Sequence, residues 1–201
     1  MHIAVAGNIG SGKTSLVEKL AKRFGWLTEF ELADENPYIQ DFYMDMKKWS
    51  FHLQINFLIS RTNQVKRISA NPDPVIQDRT IYEDGYIFAQ NLYKSGLINA
   101  RDFKTYWNLY QLIISETKPP DLLIYLYADL PKLVHQIENR GKSYEKNISN
   151  EYLMSLNDQY SEWISSYNLG KLLLLDMNQI NFIDNEEDFE QIINKIESTI
   201  F

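Results

Sequence analysis

Short apolar runs alternate along the chain with longer segments whose apolar residues recur at helical spacing. The short runs predict strands at His2–Ala6, Thr28–Leu32, Pro74–Gln77, Leu122–Tyr127 and Lys171–Asp176. The longer segments predict helices at Lys13–Phe24, Trp49–Ile68, Ile81–Tyr93, Asp102–Thr117, Leu130–Glu138, Asn150–Tyr167 and Phe189–Ile200. Most of the strands are apolar throughout, which is typical of strands buried on both faces. We therefore predict an α/β fold in which helices cover both faces of a five-stranded parallel sheet.

The pattern predicts a single domain. No internal repeat, low-complexity tract or Gly/Ser linker interrupts residues 1–201. In parallel sheets of this kind, ligands bind at the carboxyl ends of the strands. The segments to search for functional residues are therefore those that follow the strands, at 7–14, 31–36, 78–84, 127–129 and 176–181.

Composition narrows the classes of protein that fit this fold. The formal net charge of −7 disfavours sequence-independent binding of nucleic acid, which requires a basic surface. The absence of Cys excludes disulfides and thiolate chemistry, and three widely spaced histidines, His2, His52 and His135, disfavour a histidine metal site. We see no signal-peptide pattern and no apolar stretch of ~18 residues, so we expect a cytoplasmic protein that does not associate with membranes.

A glycine-rich loop directly follows the first strand. Residues 7–14 read Gly-Asn-Ile-Gly-Ser-Gly-Lys-Thr and fit the phosphate-binding pattern of P-loop proteins. Backbone N–H groups of such a loop, together with the N-terminus of the next helix, favour a bound phosphate. The expected ATP-binding residues of this segment are Gly7, Asn8, Ile9, Gly10, Ser11, Gly12, Lys13, Thr14 and Ser15. Among them, Lys13 would reach the β- and γ-phosphates and the Thr14 hydroxyl would bind Mg²⁺.

Three further segments indicate a small-molecule kinase. Glu31 ends the second strand, an Asp-Arg-Thr triplet at 78–80 ends the third, and an Arg-Gly-Lys-x-Tyr-Glu loop at 140–145 joins two helices. Transfer of phosphate to a hydroxyl uses a carboxylate that accepts the proton, cations that neutralise charge and a loop that excludes water. Taken singly, these segments would also fit a helix cap, a structural ion pair and a solvated helix end. The Asn-Lys-x-Asp guanine signature of GTPases is missing.

Together these segments resemble the deoxynucleoside kinase family, specifically its deoxyadenosine, deoxyguanosine and deoxycytidine kinase branch. The resemblance is carried by residues 7–15, 30–38, 49–61, 76–93 and 139–153, and it covers essentially the whole chain. It implies a P-loop NTPase-type three-layer fold with a short lid loop at about 139–147. It also implies a homodimer that transfers the γ-phosphate of ATP to the 5′-hydroxyl of a deoxynucleoside with Mg²⁺. Deoxyadenosine is the acceptor that we expect.

The resemblance implies catalytic roles for residues around the phosphate loop. Glu31 matches the family's general base, and Arg79 matches the arginine that contacts the 5′-oxygen and the transferring phosphate. Asp78 matches the acidic residue near Mg²⁺, where it would act with Thr14. The implied catalytic residues are thus Glu31, Arg79 and Lys13.

The resemblance also implies a nucleoside pocket. Gln54 matches the glutamine that binds the base edge, and Arg61 and Asp84 match a pair that reads the base. Tyr43 and Glu145 match the groups that hold the 3′-hydroxyl. Gln54 and Arg61 are two helical turns apart and so share a helix face. Phe57, one turn before Arg61, would stack on the base or simply pack in the core.

The lid departs from the family pattern. Arg140 and Lys142 match the cations over the ATP phosphates. Gln136 stands where the family often has an arginine, and Lys142 replaces another arginine and cannot form a bidentate fork. We therefore expect lid closure to rest mainly on Arg140 and Lys142.

Two other functions remain open from the residues. A thymidylate-type nucleoside monophosphate kinase would need cations after the second strand. Residues 28–38 instead contain Glu29, Glu31, Asp34 and Glu35 and no cation. A non-catalytic nucleotide sensor would not need Glu31 and Arg79 to converge.

Overall fold

The strands form one parallel sheet, as the sequence predicts. The computed structural model describes residues 1–200, so Phe201 of the predicted domain lies outside it. The strands are β1 (His2–Gly7), β2 (Leu27–Glu29), β3 (Val75–Asp78), β4 (Leu122–Tyr127) and β5 (Lys171–Asp176), in the order β2-β3-β1-β4-β5. β1 is central and is buried from Ile3 onward. The loop that follows β1 therefore emerges at the middle of the carboxyl edge.

Helices pack on both faces of this sheet. They are α1 (Lys13–Phe24), α2 (Ile39–Met44), α3 (Met46–Ala70), α4 (Ile81–Glu83), α5 (Gln90–Lys94), α6 (Ala100–Ser115), α7 (Leu130–Arg140), α8 (Asn150–Ser165) and α9 (Glu186–Ile200). Two apolar clusters form the core. One contains Leu16 of α1 and Ile192 of α9, and the other contains Leu58 of α3 and Tyr160 of α8. Within residues 1–200, no helix is long and apolar enough to cross a membrane.

The second strand is shorter than the predicted Thr28–Leu32. It is an edge strand that pairs only with β3, and this pairing stops at Glu29 opposite Gln77. Beyond it, the carbonyl of Phe30 accepts a hydrogen bond from the side chain of Gln64. Glu31 therefore lies in the loop after β2 and not at the strand end.

The long helix α3 begins earlier than predicted, and the face that it buries is partly polar. Asp45 caps it by accepting a hydrogen bond from the backbone N–H of Lys48, at 3.1 Å. Its buried face carries polar side chains as well as apolar ones, including Gln54, Arg61 and Gln64. Because a buried polar group needs a partner, this mixed face indicates a functional surface and not a plain core contact.

The helix predicted at Ile81–Tyr93 has an irregular centre. Residues Asp84–Ala89 are wound as a π-helix between α4 and α5, a feature that often marks functional sites. Gly85 permits this packing, because a Cβ there would lie 2.3 Å from the ring of Tyr110. The wider turn lies next to the carboxyl end of β3.

Two further segments differ from the prediction. Helix α2, which carries Tyr43, was not expected from the sequence. Arg140 was expected in the lid loop, but it ends α7, and Gly141 then turns the chain with a φ of 68°. A 3₁₀ turn at Ser143–Asn147 completes the lid.

Candidate active site

The phosphate loop joins β1 to α1, as its motif predicts. The ammonium of Lys13 donates to the carbonyl of Asn8 at 2.9 Å, so the lysine folds back over its own loop. Burial lowers the pKa of Lys13 to about 8, and the nearby Arg79 adds to this shift. Gly10 has a φ of 83°, and a Cβ there would lie 2.7 Å from the Leu133 carbonyl oxygen. The loop is therefore packed closely against α7.

Polar groups of α8 hold the loop in place. The Asn8 amide donates to the Leu153 carbonyl at 2.9 Å and to Asn157 Oδ1 at 2.7 Å. The Tyr160 hydroxyl donates to the carbonyl of Gly7 at 2.8 Å. These bonds direct the Asn8 side chain toward α8, so its part in ATP binding would come from its backbone.

Thr14 and Asp78 meet at the start of α1 and the end of β3. The Thr14 hydroxyl donates to Asp78 Oδ2 at 2.5 Å. Asp78 Oδ1 is buried and has no hydrogen-bond partner within residues 1–200. One carboxylate and one hydroxyl beside a phosphate loop fit Mg²⁺, which typically takes few protein ligands together with substrate phosphates.

Glu31 lies between two arginines. Arg61 Nη2 donates to Glu31 Oε1 at 3.1 Å, and Arg79 Nε donates to Oε2 at 3.0 Å. Burial alone would raise the pKa of Glu31, but Arg79, Arg61 and Lys13 lower it to about 2. The carboxylate is therefore ionised and oriented at neutral pH.

Arg79 connects the Glu31 carboxylate to side chains in the protein core. Its φ of 67° is positive, which is rare for a residue other than glycine. Its Nη1 donates to the Tyr160 hydroxyl at 2.8 Å, and it forms an ion pair with the fully buried Glu83 at 3.4 Å. Its guanidinium carbon lies 4.5 Å from the centre of the Phe88 ring. The strained backbone thus directs Arg79 into the site, where buried partners hold it.

Arg61 lies behind the wall of the pocket. Its Nε donates to Asp84 Oδ2 at 3.1 Å, and its Nη1 donates to Gln64 Oε1 at 2.8 Å and to the Asp78 carbonyl at 3.2 Å. With the bond to Glu31, four of the five N–H groups of the guanidinium are engaged. Burial raises the pKa of Asp84 to about 6, although Arg61 opposes the shift.

A cavity between β3, α3 and the lid contains most of the predicted site residues. They are Ile9, Lys13, Thr14, Glu31, Tyr43, Gln54, Phe57, Asp78, Arg79, Asp84, Arg140, Lys142 and Glu145. The remaining wall was missed by the sequence reasoning and includes Leu53, Phe88, Tyr144 and Tyr152. For Phe88 a signal existed, because it stands four residues after Asp84 in a helical segment. Gln54 Oε1 is buried there with no hydrogen-bond partner among residues 1–200.

The lid cations are bound to carboxylates on the acceptor side. Arg140 forms two hydrogen bonds to Glu145, of 2.5 and 3.1 Å. Lys142 donates to both oxygens of Asp34, at 2.8 and 3.0 Å, and the Tyr144 hydroxyl also binds Asp34. Tyr144 stacks on Tyr43 at 5.7 Å between ring centres. The lid therefore closes over the cavity.

A second cavity lies on the other side of the phosphate loop. It is lined by Gly10, Ser11, Gly12, Ser15, Lys132, Gln136, Met177, Ile180, Asn181, Phe182 and Ile183. Gln136, at the position where the family often has arginine, belongs to this wall. The segment from Met177 to Ile183 follows β5, one of the strand ends that the topology marks, although no residue in it was predicted to bind a ligand.

Comparisons with known proteins agree with this geometry. The family model "Deoxynucleoside kinase" matches residues 3–201. The chain is 40% identical to deoxyadenosine/deoxycytidine kinase of Bacillus subtilis, over 98% of this chain and 92% of that protein. It is 39% identical to deoxyadenosine kinase of Dictyostelium discoideum, over 100% of this chain and 81% of that protein.

Solved structures point to the same family. The structure of deoxyadenosine kinase from M. mycoides, with the products dCMP and a flexible dCDP bound, superposes with a TM-score of 0.89. The two chains are 30% identical, and the match covers 98% of this chain and 100% of the other. This chain belongs to the deoxynucleoside kinase family and is an ATP-dependent phosphotransferase.

Proposed function

We propose that the preferred acceptor of this kinase is deoxyadenosine, with deoxyguanosine and deoxycytidine as possible further acceptors. The observation that carries the proposal is a pair of oxygen acceptors that line the cavity together with aromatic side chains. Gln54 Oε1 has no partner within the described chain, and Asp84 lines the same wall. An exocyclic amine, as on adenine or cytosine, would donate to them. Thymine carries a carbonyl at that position, which would oppose an oxygen with an oxygen.

Similarity supports the choice of deoxyadenosine. The names of the relatives from B. subtilis and D. discoideum both include deoxyadenosine kinase activity. M. mycoides deoxyadenosine kinase has also been solved with dATP and with dCTP bound. An adenine-preferring pocket that tolerates cytosine is consistent with these names.

The proposed mechanism is in-line transfer, in which the protein supplies position and charge. Glu31 accepts the proton of the 5′-hydroxyl. Arg79 orients Glu31 and contacts the transferring group, while Lys13 leaves the Asn8 carbonyl to bind the β- and γ-phosphates. Tyr43 and Glu145 hold the sugar. Because the two arginines lower its pKa, Glu31 is a weak base, which suits a transition state with little bond formation to the acceptor.

Mg²⁺ would be held by Thr14 and Asp78 together with the phosphates of ATP. It would neutralise charge on the β- and γ-phosphates. The orphaned Asp78 Oδ1 supports this assignment, because a buried carboxylate oxygen without a partner is costly. Arg140 and Lys142 would add charge once the donor is bound.

The donor base would occupy the second cavity. That cavity adjoins Gly10 and Gly12 of the phosphate loop, and Ile180 and Phe182 supply an apolar wall. A purine ring would lie against Phe182, on the opposite side of the phosphate loop from the acceptor. This arrangement gives donor and acceptor separate pockets with the phosphates between them.

A homodimer is proposed through the helices near the middle of the chain. Ile59 on α3 is 55% exposed, and Leu112 on α6 is 67% exposed. These two helices contact each other, so the exposed residues can contribute to one apolar surface. The cytoplasmic location and the single-domain organisation stay predictions.

The monophosphate kinase alternative is less well supported. A phosphorylated acceptor needs free cations near Glu31, but Arg61 and Arg79, the cations that contact Glu31, are buried and engaged by carboxylates. An additional phosphate would have to displace these partners.

Initial rates with the four natural deoxynucleosides and with dAMP, at fixed Mg-ATP, test the proposal. We expect the highest kcat/KM with deoxyadenosine, a low value with thymidine and no dADP from dAMP. A thymidine value equal to or above that of deoxyadenosine would refute the assigned base. Release of ADP only when a deoxynucleoside is added would exclude a non-catalytic nucleotide sensor.

A further inference from the structure

Gln64 lies one helical turn after Arg61 on α3 and is almost fully buried, with 1% of its surface exposed. Its Oε1 accepts from Arg61 Nη1 at 2.8 Å and from Gln77 Nε2 at 3.3 Å. Its Nε2 donates to the backbone carbonyl of Phe30. A buried amide is costly unless both ends are bonded, and here both ends are.

Gln77 and His2 extend this network across the sheet. Gln77 lies on β3 and is 1% exposed, and its Oε1 pairs with His2 Nε2 at 2.9 Å. Arg61 can only donate, so it fixes the direction in which the Gln64 amide points, and Gln64 Oε1 in turn orients Gln77 Nε2. Because Gln64 Oε1 faces two donors, its amide has only one orientation that satisfies the network.

Two of the three groups that Gln64 binds are also connected to Glu31: Phe30 by the chain and Arg61 by an ion pair. Phe30 precedes Glu31 in a segment where the β2 ladder has already ended. Arg61 binds the Glu31 carboxylate from the other direction, at 3.1 Å. One amide thus holds the backbone that carries the carboxylate and also the guanidinium that orients it.

We propose that Gln64 is a positioning residue for phosphoryl transfer, which sets where the Glu31 carboxylate stands relative to the acceptor hydroxyl. The proposal rests on the general-base role proposed for Glu31. Gln64 does not line the acceptor cavity and acts only through Phe30 and Arg61. A displacement of the base by about 1 Å can lower a rate by about 10²-fold, so the network has kinetic consequences although no substrate touches it.

Gln64→Met tests this role, because methionine has a similar volume and makes none of the three bonds. We expect kcat with deoxyadenosine to fall about tenfold or more, while the KM for Mg-ATP stays within about twofold of the wild-type value. Donor binding depends on the other cavity, so a split between kcat and the KM for ATP is diagnostic. Gln191→Met, the same change at an exposed position of α9, is the matched control and should leave both constants unchanged.

Gln64→Glu separates positioning from a general loss of packing. Glutamate can still accept from Arg61 but cannot donate to the Phe30 carbonyl. We expect kcat to remain lowered in this variant while circular dichroism at the assay temperature matches the wild type. This second variant also decides the question if Gln64→Met does not fold.

The outcomes separate the role of Gln64 from the kinase function of the protein. An active wild type with unchanged kcat in folded Gln64→Met or Gln64→Glu would overturn the role of Gln64 alone. An equal loss in kcat and in ATP binding would assign Gln64 to general structure and would also overturn it. A wild type that phosphorylates no deoxynucleoside would refute the proposed function, and the role of Gln64 with it.

Discussion

The acceptor and donor halves of the site are built in opposite ways. On the acceptor side, the side chains of Arg61, Arg79 and Asp84 are each 3% exposed, and Glu31 bridges the two arginines. On the donor side, Arg140 is 39% and Lys142 is 29% exposed. The acceptor half is thus a buried, mutually bonded network. In the donor half, partly exposed cations are held by carboxylates that a phosphate can replace.

The difference indicates which half is organised before substrate arrives. Breaking a buried ion pair leaves a charge that water cannot reach, so the acceptor network has little freedom to rearrange. Exposed ion pairs contribute little, so the bonds of Lys142 to Asp34 are easily exchanged. We infer that the acceptor finds a preformed pocket, whereas the donor must draw Lys13 and the lid cations from protein partners.

The largest expected effect is on stability in the acceptor half. Arg79→Met should lower the free energy of unfolding by about 3–5 kcal/mol, because Glu83 and Glu31 lose a buried cationic partner. Urea denaturation followed by circular dichroism measures this loss. Arg67→Met is the control, since Arg67 pairs with Glu29 on the surface and should cost about 1 kcal/mol or less. Equal losses in the two variants would mean that the buried ion pairs of Arg79 stabilise the fold no more than the surface ion pair of Arg67 does.

The next effect concerns base selection. Arg61→Met combined with Asp84→Ala should raise the kcat/KM of thymidine relative to that of deoxyadenosine by about tenfold or more, since one of the two acceptors for an exocyclic amine is removed. The ratio is the useful quantity. Arg61 also binds Glu31, and any loss of turnover from that contact affects both substrates alike. An unchanged ratio would remove the pair from the specificity argument.

The two acceptor carboxylates should titrate in different ranges. Burial raises the pKa of Asp84 to about 6, so it becomes protonated as the pH falls through that value. The pKa of Glu31 is lowered to about 2, so the base stays ionised there. At saturating Mg-ATP we expect kcat/KM for deoxyadenosine to fall below about pH 6 while kcat stays level. A parallel fall of both quantities would contradict the separation of binding and catalysis.

The smallest effect is expected in the lid. Asp34→Asn removes the charge that holds Lys142, and it should lower the KM for Mg-ATP by up to about fivefold, as for an exposed ion pair. Steady-state kinetics with varied ATP measures it. Asp73→Asn makes the same change at an exposed turn before β3 and should have no effect. A rise in the KM for ATP would mean that Asp34 helps the lid to bind the donor.

Much of this arrangement could be predicted from the sequence. The phosphate-loop motif, the apolar strands and the cations of the lid are local signals, and the parallel topology brings their ends to one edge. Helix α2 and the π-helical turn at 84–89 had no such signal, because tertiary contacts such as that of Tyr110 with Gly85 decide them. In the sequence Gln64 is an ordinary polar residue of α3. Only the packed structure shows that it is buried and that both ends of its side-chain amide form hydrogen bonds.

The second cavity, which we propose for the donor base, was missed for a related reason. Its wall after β5 is a short irregular segment from Met177 to Ile183 that has no periodicity and no charged motif. The strand order placed it beside the phosphate loop, but composition alone could not assign it a ligand. Arg61 shows the reverse case. The family resemblance implies that it reads the base, and the structure adds that most of its N–H groups are already bound within the protein.

The most direct test of the account is the turnover of Glu31→Gln with binding measured separately. Glutamine keeps the shape of the side chain but cannot accept the proton of the 5′-hydroxyl. We expect single-turnover rates with deoxyadenosine to fall about 10²- to 10⁴-fold, while calorimetric titration still detects nucleoside binding. A near-normal rate in Glu31→Gln would contradict the assignment of Glu31 as the base and with it the central role of the acceptor network.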